Sequence, residues 1–165
     1  AATRLPAINL AGRIGPAAAG AAELLLDQSH DADALVRAGA VRALGRIRTP
    51  PQRLVPRLAA CLEDAWPDVR REAAGALGLQ GAAAAGAVPQ LGELLRDPAF
   101  GVRLAAIEAL GRIGPAARPA VPALHLARSN NQSGVGRQVL EAVAAIEGAA
   151  PQEPPADGGA AGVAR

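Results

Sequence analysis

Two histidines, one cysteine and a scatter of acids and arginines are the side chains here that could do chemistry, and their spacing argues against most of it. His30 and His125 lie far apart, and neither stands beside a glutamate. Cys61 has no second cysteine to pair with, and a lone thiolate cannot build a tetrahedral metal site. It falls between Leu58 and Leu62, where a thiol reads as a buried apolar group rather than a nucleophile. Glu63 and Asp64 are adjacent, and adjacent positions point apart on a helix, which makes them poor acid–base partners. No nucleophile elbow or phosphate-binding loop is present; stretches such as Gly12-Arg13-Ile14-Gly15-Pro16 follow helical patterns and read as helix stops. No catalytic residue, metal ligand or cofactor is therefore expected. Trp66, in the loop Ala65-Trp66-Pro67, is the large side chain best placed for contact, because Trp is enriched where partners bind. Packing over helix ends is its other reading.

The elements that must position these residues repeat. Gly12-Arg13-Ile14, Gly45-Arg46-Ile47 and Gly111-Arg112-Ile113 fall on one register of 33 residues, with the degenerate Gly78-Leu79-Gln80 and Ala144-Ala145-Ile146 completing it. Val36-Arg37, Val69-Arg70 and Val102-Arg103 keep the same step, and Val135 continues it. So do Val55-Pro56, Val88-Pro89 and Val121-Pro122. Fixed-period self-similarity of this length is the signature of stacked supersecondary units.

Each unit reads as two helices. Val36, Ala40, Val41, Leu44 and Ile47 make one amphipathic stripe, helix A, expected over 4–14, 35–47, 68–79, 101–113 and 134–147. A Gly-Pro or Thr-Pro break follows. Leu54, Val55, Leu58, Cys61 and Leu62 make a second stripe, helix B, expected over 17–28, 51–64, 84–96 and 117–129. The Pro of each Val-Pro pair lacks an amide hydrogen, so it belongs in the first turn of helix B or kinks it. Gly45, Gly78 and Gly111 each cost a helix interior about 1 kcal/mol, and their recurrence implies helices that cross closely or a helix end.

Asp31, Asp64, Asp97 and Asn130 close the B helices at the same step. Each Asp stands six residues before Arg37, Arg70 or Arg103, while Gly136 occupies the corresponding fourth position. An acid and an arginine at fixed places in every unit predict a ladder between repeats. Asp64 is expected to cap the next A helix or to pair with an Arg of an adjacent unit.

Composition agrees with an all-α stack. Half the residues are apolar but only 1% are aromatic, so the core must be Ala, Leu, Val and Ile. The basic residues are all Arg, as a GC-rich coding sequence would give, and the net charge is only +2 with signs interleaved. That balance argues against a nucleic-acid face. No long uncharged apolar run suggests a membrane span and no secretory signal is evident; the compartment stays unknown, with the cytoplasm favoured. From Gly148 the pattern gives way to Ala, Pro, Gly and acid, so 1–147 is expected to form the repeat domain and 148–165 a disordered tail or linker. The absence of a starting Met suggests part of a longer chain. Thr3 is placed to cap the first helix, whose outer side has no shield.

The run from Asp97 through Val102-Arg103, Ala106, Ala109-Leu110-Gly111 and Ile113-Gly114 to Ala120-Val121-Pro122-Ala123-Leu124 resembles the short HEAT repeats first noted in phycobilin lyases. The Thr-Pro-Leu-His of ankyrin and the aromatic knobs of tetratricopeptide repeats are missing, and classical HEAT units are longer, at roughly 40 residues or more. The resemblance covers about residues 3–147 and implies an α-solenoid of antiparallel helix pairs, a HEAT- or armadillo-type superhelix of about four and a half repeats of 33 residues. Some HEAT-like hydroxylases hold iron through His-Glu pairs, which this sequence lacks.

In such stacks the B helices usually line the concave side. Outward positions there differ from unit to unit: Leu24 and Asp27, Arg53 and Arg57, Gln90 and Glu93, Ala123 and Leu126. The expected function is a non-catalytic scaffold that binds another protein through Arg53, Arg57, Gln90, Glu93 and Trp66. The resemblance also implies two alternatives. One is a subunit of a phycobilin-lyase-type enzyme or chaperone. The other is nucleic-acid binding, as in HEAT-like DNA glycosylases, through Arg53, Arg57, Arg96, Arg118 and Arg128.

Overall fold

A computed structural model describes residues 4–47, 49–129 and 134–148. The described residues are helical, with no strand among them. The A helices are α1 (Arg4–Ile14), α3 (Ala34–Arg46), α5 (Pro67–Leu79), α7 (Phe100–Ile113) and α9 (Gly136–Glu147). The B helices are α2 (Ala22–Gln28), α4 (Pro51–Cys61), α6 (Val88–Glu93) and α8 (Val121–Ser129). Thr3, Asn130 and the segment beyond Gly148 lie outside the described residues.

The A helices match their expected spans to within two residues at each end. The B helices are shorter than the periodicity predicts. In three units a 3-10 segment (Gly15–Ala21, Gly81–Ala87 and Gly114–Ala120) precedes the α-helix, each opening on a glycine with positive φ. The α-helix begins at Val88 and Val121, and Pro89 and Pro122 fall in its first turn, where a missing N–H costs nothing. The second unit departs from this: Pro51 starts α4 directly and Pro56 lies inside it. At the other end α4 stops at Cys61 rather than continuing to Asp64. Asp64 accepts the backbone N–H of Trp66 at 2.8 Å, a local bond that diverts the chain from helix.

Helices stack in a row, α1 on α3, α3 on α5, α5 on α7 and α7 on α9, with each B helix packed against the A helix that follows it, α2 on α3, α4 on α5, α6 on α7 and α8 on α9. The stripe Val36, Ala40, Val41, Leu44 and Ile47 is buried, as its spacing predicts. Leu44, Leu77 and Leu110 are fully enclosed, as are Leu58, Leu91 and Leu124. Burial of each such Leu is worth roughly 1.5–3 kcal/mol.

The glycine column sets the spacing between A helices. A Cβ added at Gly12 would lie 3.2 Å from Ala43 Cα, and one at Gly111 3.1 Å from Ala142 Cα. At Gly45 it would reach Ala76 Cβ at 2.8 Å, and at Gly78 Ala109 Cα at 2.9 Å. Of the two reasons the sequence offered for these glycines, close crossing is the operative one. In the first unit Leu10 takes the place of that interface alanine and is exposed. Elsewhere in the same unit an apolar hollow of about 340 Å³ lies between α1 and α2, lined by Ala7, Ala11, Leu24 and Leu25 among others.

Candidate functional site

The B-to-A loops carry the ladder. Arg37 donates from Nε and Nη2 to both carboxylate oxygens of Asp64 at 2.8 and 2.9 Å. Arg70 grips Asp97 in the same fork at 2.7 and 2.9 Å. The third guanidinium nitrogen turns backward: Arg37 Nη1 donates to the Asp31 and Ala32 carbonyls, Arg70 Nη1 to those of Asp64 and Ala65, and Arg103 Nη1 to those of Asp97 and Pro98. Arg37 and Arg70 thus tie the carbonyls of the loop before their own helix to the carboxylate of the next B-to-A loop, whereas Arg103 makes only the backward bonds among the described residues. The six-residue spacing seen in the sequence is bridged by backbone oxygen, while the ion pair spans the next unit. Asp31, Asp64 and Asp97 also accept the N–H two residues on, from Asp33, Trp66 and Ala99.

These pairs are sheltered, most of all Arg70–Asp97, whose side chains are 12% and 4% exposed. The hydrogen bond from Arg37 holds the Asp64 carboxyl below its ordinary value, against the opposing effect of burial. Burial pushes the Asp97 carboxyl up, but the bonds from Arg70 and the Ala99 N–H outweigh it and the net shift is downward. The same carboxylates raise the guanidinium groups of Arg37 and Arg70.

Arg4 extends the ladder by pairing with Asp31. Sequence reasoning missed it, although it lies one 33-residue step before Arg37. At the other end Arg103 lies 5.4 Å from the Phe100 ring centroid, and its buried Nε meets no acceptor among the described residues. The register places Asn130, an uncharged side chain outside the described residues, at that step.

The outer face of the B helices is open and divided. A hollow of about 490 Å³ between α4 and the unit that follows is lined by Val55, Pro56, Ala59, Glu63, Gly86 and Gln90. The next, about 220 Å³, involves Pro89, Gly92, Glu93, Arg96, Ala123 and Leu126. Gln90 and Glu93 therefore line separate grooves, one at each junction. Arg53 and Arg57 line neither: Arg53 pairs with Glu23 of the first unit at 2.6 Å, and Arg57 touches His30. The sequence lacked a signal for these lateral contacts because Arg53 shares its column with Gly20, Gly86 and Pro119. Trp66, half-exposed, sits on the ladder edge as the N-cap of α5 rather than in either groove. The arginines considered for nucleic acid, Arg53, Arg57, Arg96, Arg118 and Arg128, are all exposed. His30 and His125 are exposed and separate. Cys61 is buried, and burial pushes its thiol up to about 11. Among the described residues no cluster of three or more His, Cys, Asp or Glu is placed to hold a metal, and no helix is long and apolar enough to cross a membrane.

This repeating ladder and glycine register coincide with a known family. A family model for HEAT repeats matches residues 1–78 and 54–144. The chain belongs to the HEAT-repeat family. Solved structures agree on the architecture. A designed armadillo repeat protein, solved with the peptide (KR)4, superposes with a TM-score of 0.70 at 23% identity, covering 86% of this chain and 73% of that one. An engineered protein gives 0.68 at 22%, covering 86% and 72%. The complex of CpcE and CpcF of phycocyanin lyase from Nostoc sp. PCC7120 gives 0.66 at 25%, covering 83% and 86%. No curated protein matches this chain.

Proposed function

We propose that this chain is a non-catalytic scaffold that binds another protein on its helix-B face, the concave side of the stack. The observation that carries the reading is the contrast between columns. Buried positions repeat from unit to unit, whereas the outward positions Leu24, Arg57, Gln90 and Ala123 on one column, and Asp27, Ala60, Glu93 and Leu126 on another, all differ. A rigid frame with a variable, grooved face suits recognition, because side chains can change there without disturbing the core. The grooves beside Gln90 and Glu93 would accept a partner's apolar side chains, with the Arg53 and Arg57 edge and Trp66 as further contacts. The repeat domain, 1–147, would act as one binding module and 148–165 as a tail or linker.

The test is capture of partners from a lysate of the source cells by the wild-type chain, followed by mass spectrometry and a binding isotherm for the purified partner. Gln90→Ala, Glu93→Arg and a bulky Ala59→Trp in the first groove should each weaken that isotherm. A partner that binds all three as tightly as wild type rules the helix-B face out.

A second reading has one observation in its favour, the likeness to the phycocyanin lyase complex over most of both chains. It makes this chain one half of a two-subunit bilin-handling assembly. Transfer of bilin to an apo-biliprotein with a candidate second subunit tests it, and no transfer ends it.

A further inference from the structure

The outer face of the A helices carries an unassigned feature, a groove between α1 and α3 of about 330 Å³. Three arginines, Arg13, Arg42 and Arg46, stand around it, over an apolar floor that includes Ile8, Gly12 and Ala43. Arg42 is oriented by Asn9, whose Oδ1 accepts from its Nη2 at 2.9 Å. Among the described residues the carboxylate paired with Arg42 is Glu72, 3.9 Å away and already held by Arg71 at 3.2 Å. Neither Arg13 nor Arg46 is paired with a carboxylate among the described residues.

The same groove three units on has the opposite character. Between α7 and α9 the corresponding hollow of about 280 Å³ is lined by Glu108, Arg112, Gln138 and Glu141, and Arg112 lies 3.8 Å from Glu108. The backbone register is shared, but the column Asn9, Arg42, Gly75, Glu108, Glu141 runs from neutral and basic to acidic. Positive charge is thus concentrated at one end of the A face and cancelled at the other.

We propose that the Arg13–Arg42–Arg46 groove is a binding site for carboxylates of a short acidic segment of a partner protein. Planar guanidinium groups favour carboxylates through paired N–H···O bonds, the geometry Arg37 and Arg70 already make within this chain. The length of the ligand follows from the charges beyond the groove. A polyanion continuing along the A face would run onto Glu72, Glu108 and Glu141, so the site suits a peptide about one repeat long and disfavours a nucleic-acid strand. The site lies on the opposite helix layer from the proposed helix-B surface, so the two stand or fall separately.

Fluorescence anisotropy of a fluorescein-labelled, end-blocked hexaglutamate with the full chain tests it. Binding is expected at low ionic strength and weakens as salt is added. Arg13→Gln with Arg46→Gln should reduce affinity about tenfold or more, since roughly 1.4 kcal/mol is tenfold and two charge-assisted contacts are lost. Arg112→Gln, on the same column at the compensated end, should leave it unchanged. Both targeted arginines are exposed, and thermal melting reports on the fold; if the double variant melts early, Arg13→Gln alone carries the test with the same outcomes. Wild-type affinity in the Arg13/Arg46 variant, an equal loss in Arg112→Gln, or a loss in Arg57→Gln instead would overturn the proposal. So would tighter binding of a single-stranded oligothymidylate of equal charge.

Discussion

Two glycines on one helix should respond to alanine with opposite signs. Gly75 and Gly78 both lie inside α5, three residues apart. In an isolated helix each change to Ala would add about 1 kcal/mol. A Cβ at Gly75 meets nothing within 4 Å, so that gain should appear in full. A Cβ at Gly78 would lie 2.9 Å from Ala109 Cα and 3.3 Å from its Cβ. The first of these is backbone, so α5 and α7 must separate rather than a side chain rotate. Overpacking of this kind costs about 1–3 kcal/mol and here loosens a whole helix–helix interface, so we take the upper end. Against the intrinsic gain, Gly78→Ala should destabilise by about 1–2 kcal/mol net. The two variants should therefore differ by about 2–3 kcal/mol. In urea denaturation followed by circular dichroism, Gly75→Ala should unfold above wild type and Gly78→Ala below it. Hydrogen exchange should place the loosening in α5 and α7, because neighbouring units in a linear stack share only their mutual interface. If Gly78→Ala is as stable as Gly75→Ala, the helices are not held at the glycine distance and the packing account fails.

The ladder makes a graded prediction. Asp97→Asn leaves the sheltered Arg70 without its counter-charge and should cost about 3 kcal/mol, whereas Asp31→Asn, facing the half-exposed Arg4, should cost under about 1 kcal/mol; chemical denaturation of both variants compares them. The Asp64 and Asp97 carboxyls are lowered on folding, so their contribution is present above the ordinary carboxylate range near pH ~4 and is lost as pH falls through the folded values; acid unfolding should be shallower in Asp64→Asn/Asp97→Asn than in wild type. By the 33-residue register, Asn130→Asp should offer Arg103 a carboxylate and raise stability by about 1 kcal/mol, read as slower hydrogen exchange in α7. Cys61, buried and with its thiol near 11, should resist a thiol reagent at neutral pH until α4 opens, so its labelling rate measures local unfolding.

Sequence alone determined what is periodic. A step of 33 residues, stripes of small aliphatics and recurrent Val-Arg and Asp positions fix helix type, repeat boundaries and core columns, because local periodicity and burial act on each unit alike. Leu44, Leu77 and Leu110 are buried for the same reason in every copy. The close crossing behind Gly45 and Gly78 had a signal, recurrence, but its cause needed the neighbouring helix. Contacts between columns lay beyond reach. That Arg53 meets Glu23, that Gln90 and Glu93 line different grooves, and that Arg13, Arg42 and Arg46 surround one hollow depend on the offset between adjacent units, which no single unit encodes. Tertiary structure set the ladder's direction as well. An arginine six residues after one aspartate could have turned to that carboxylate, but the stack brings the next unit's aspartate into its fork and leaves backbone carbonyls for the remaining N–H groups.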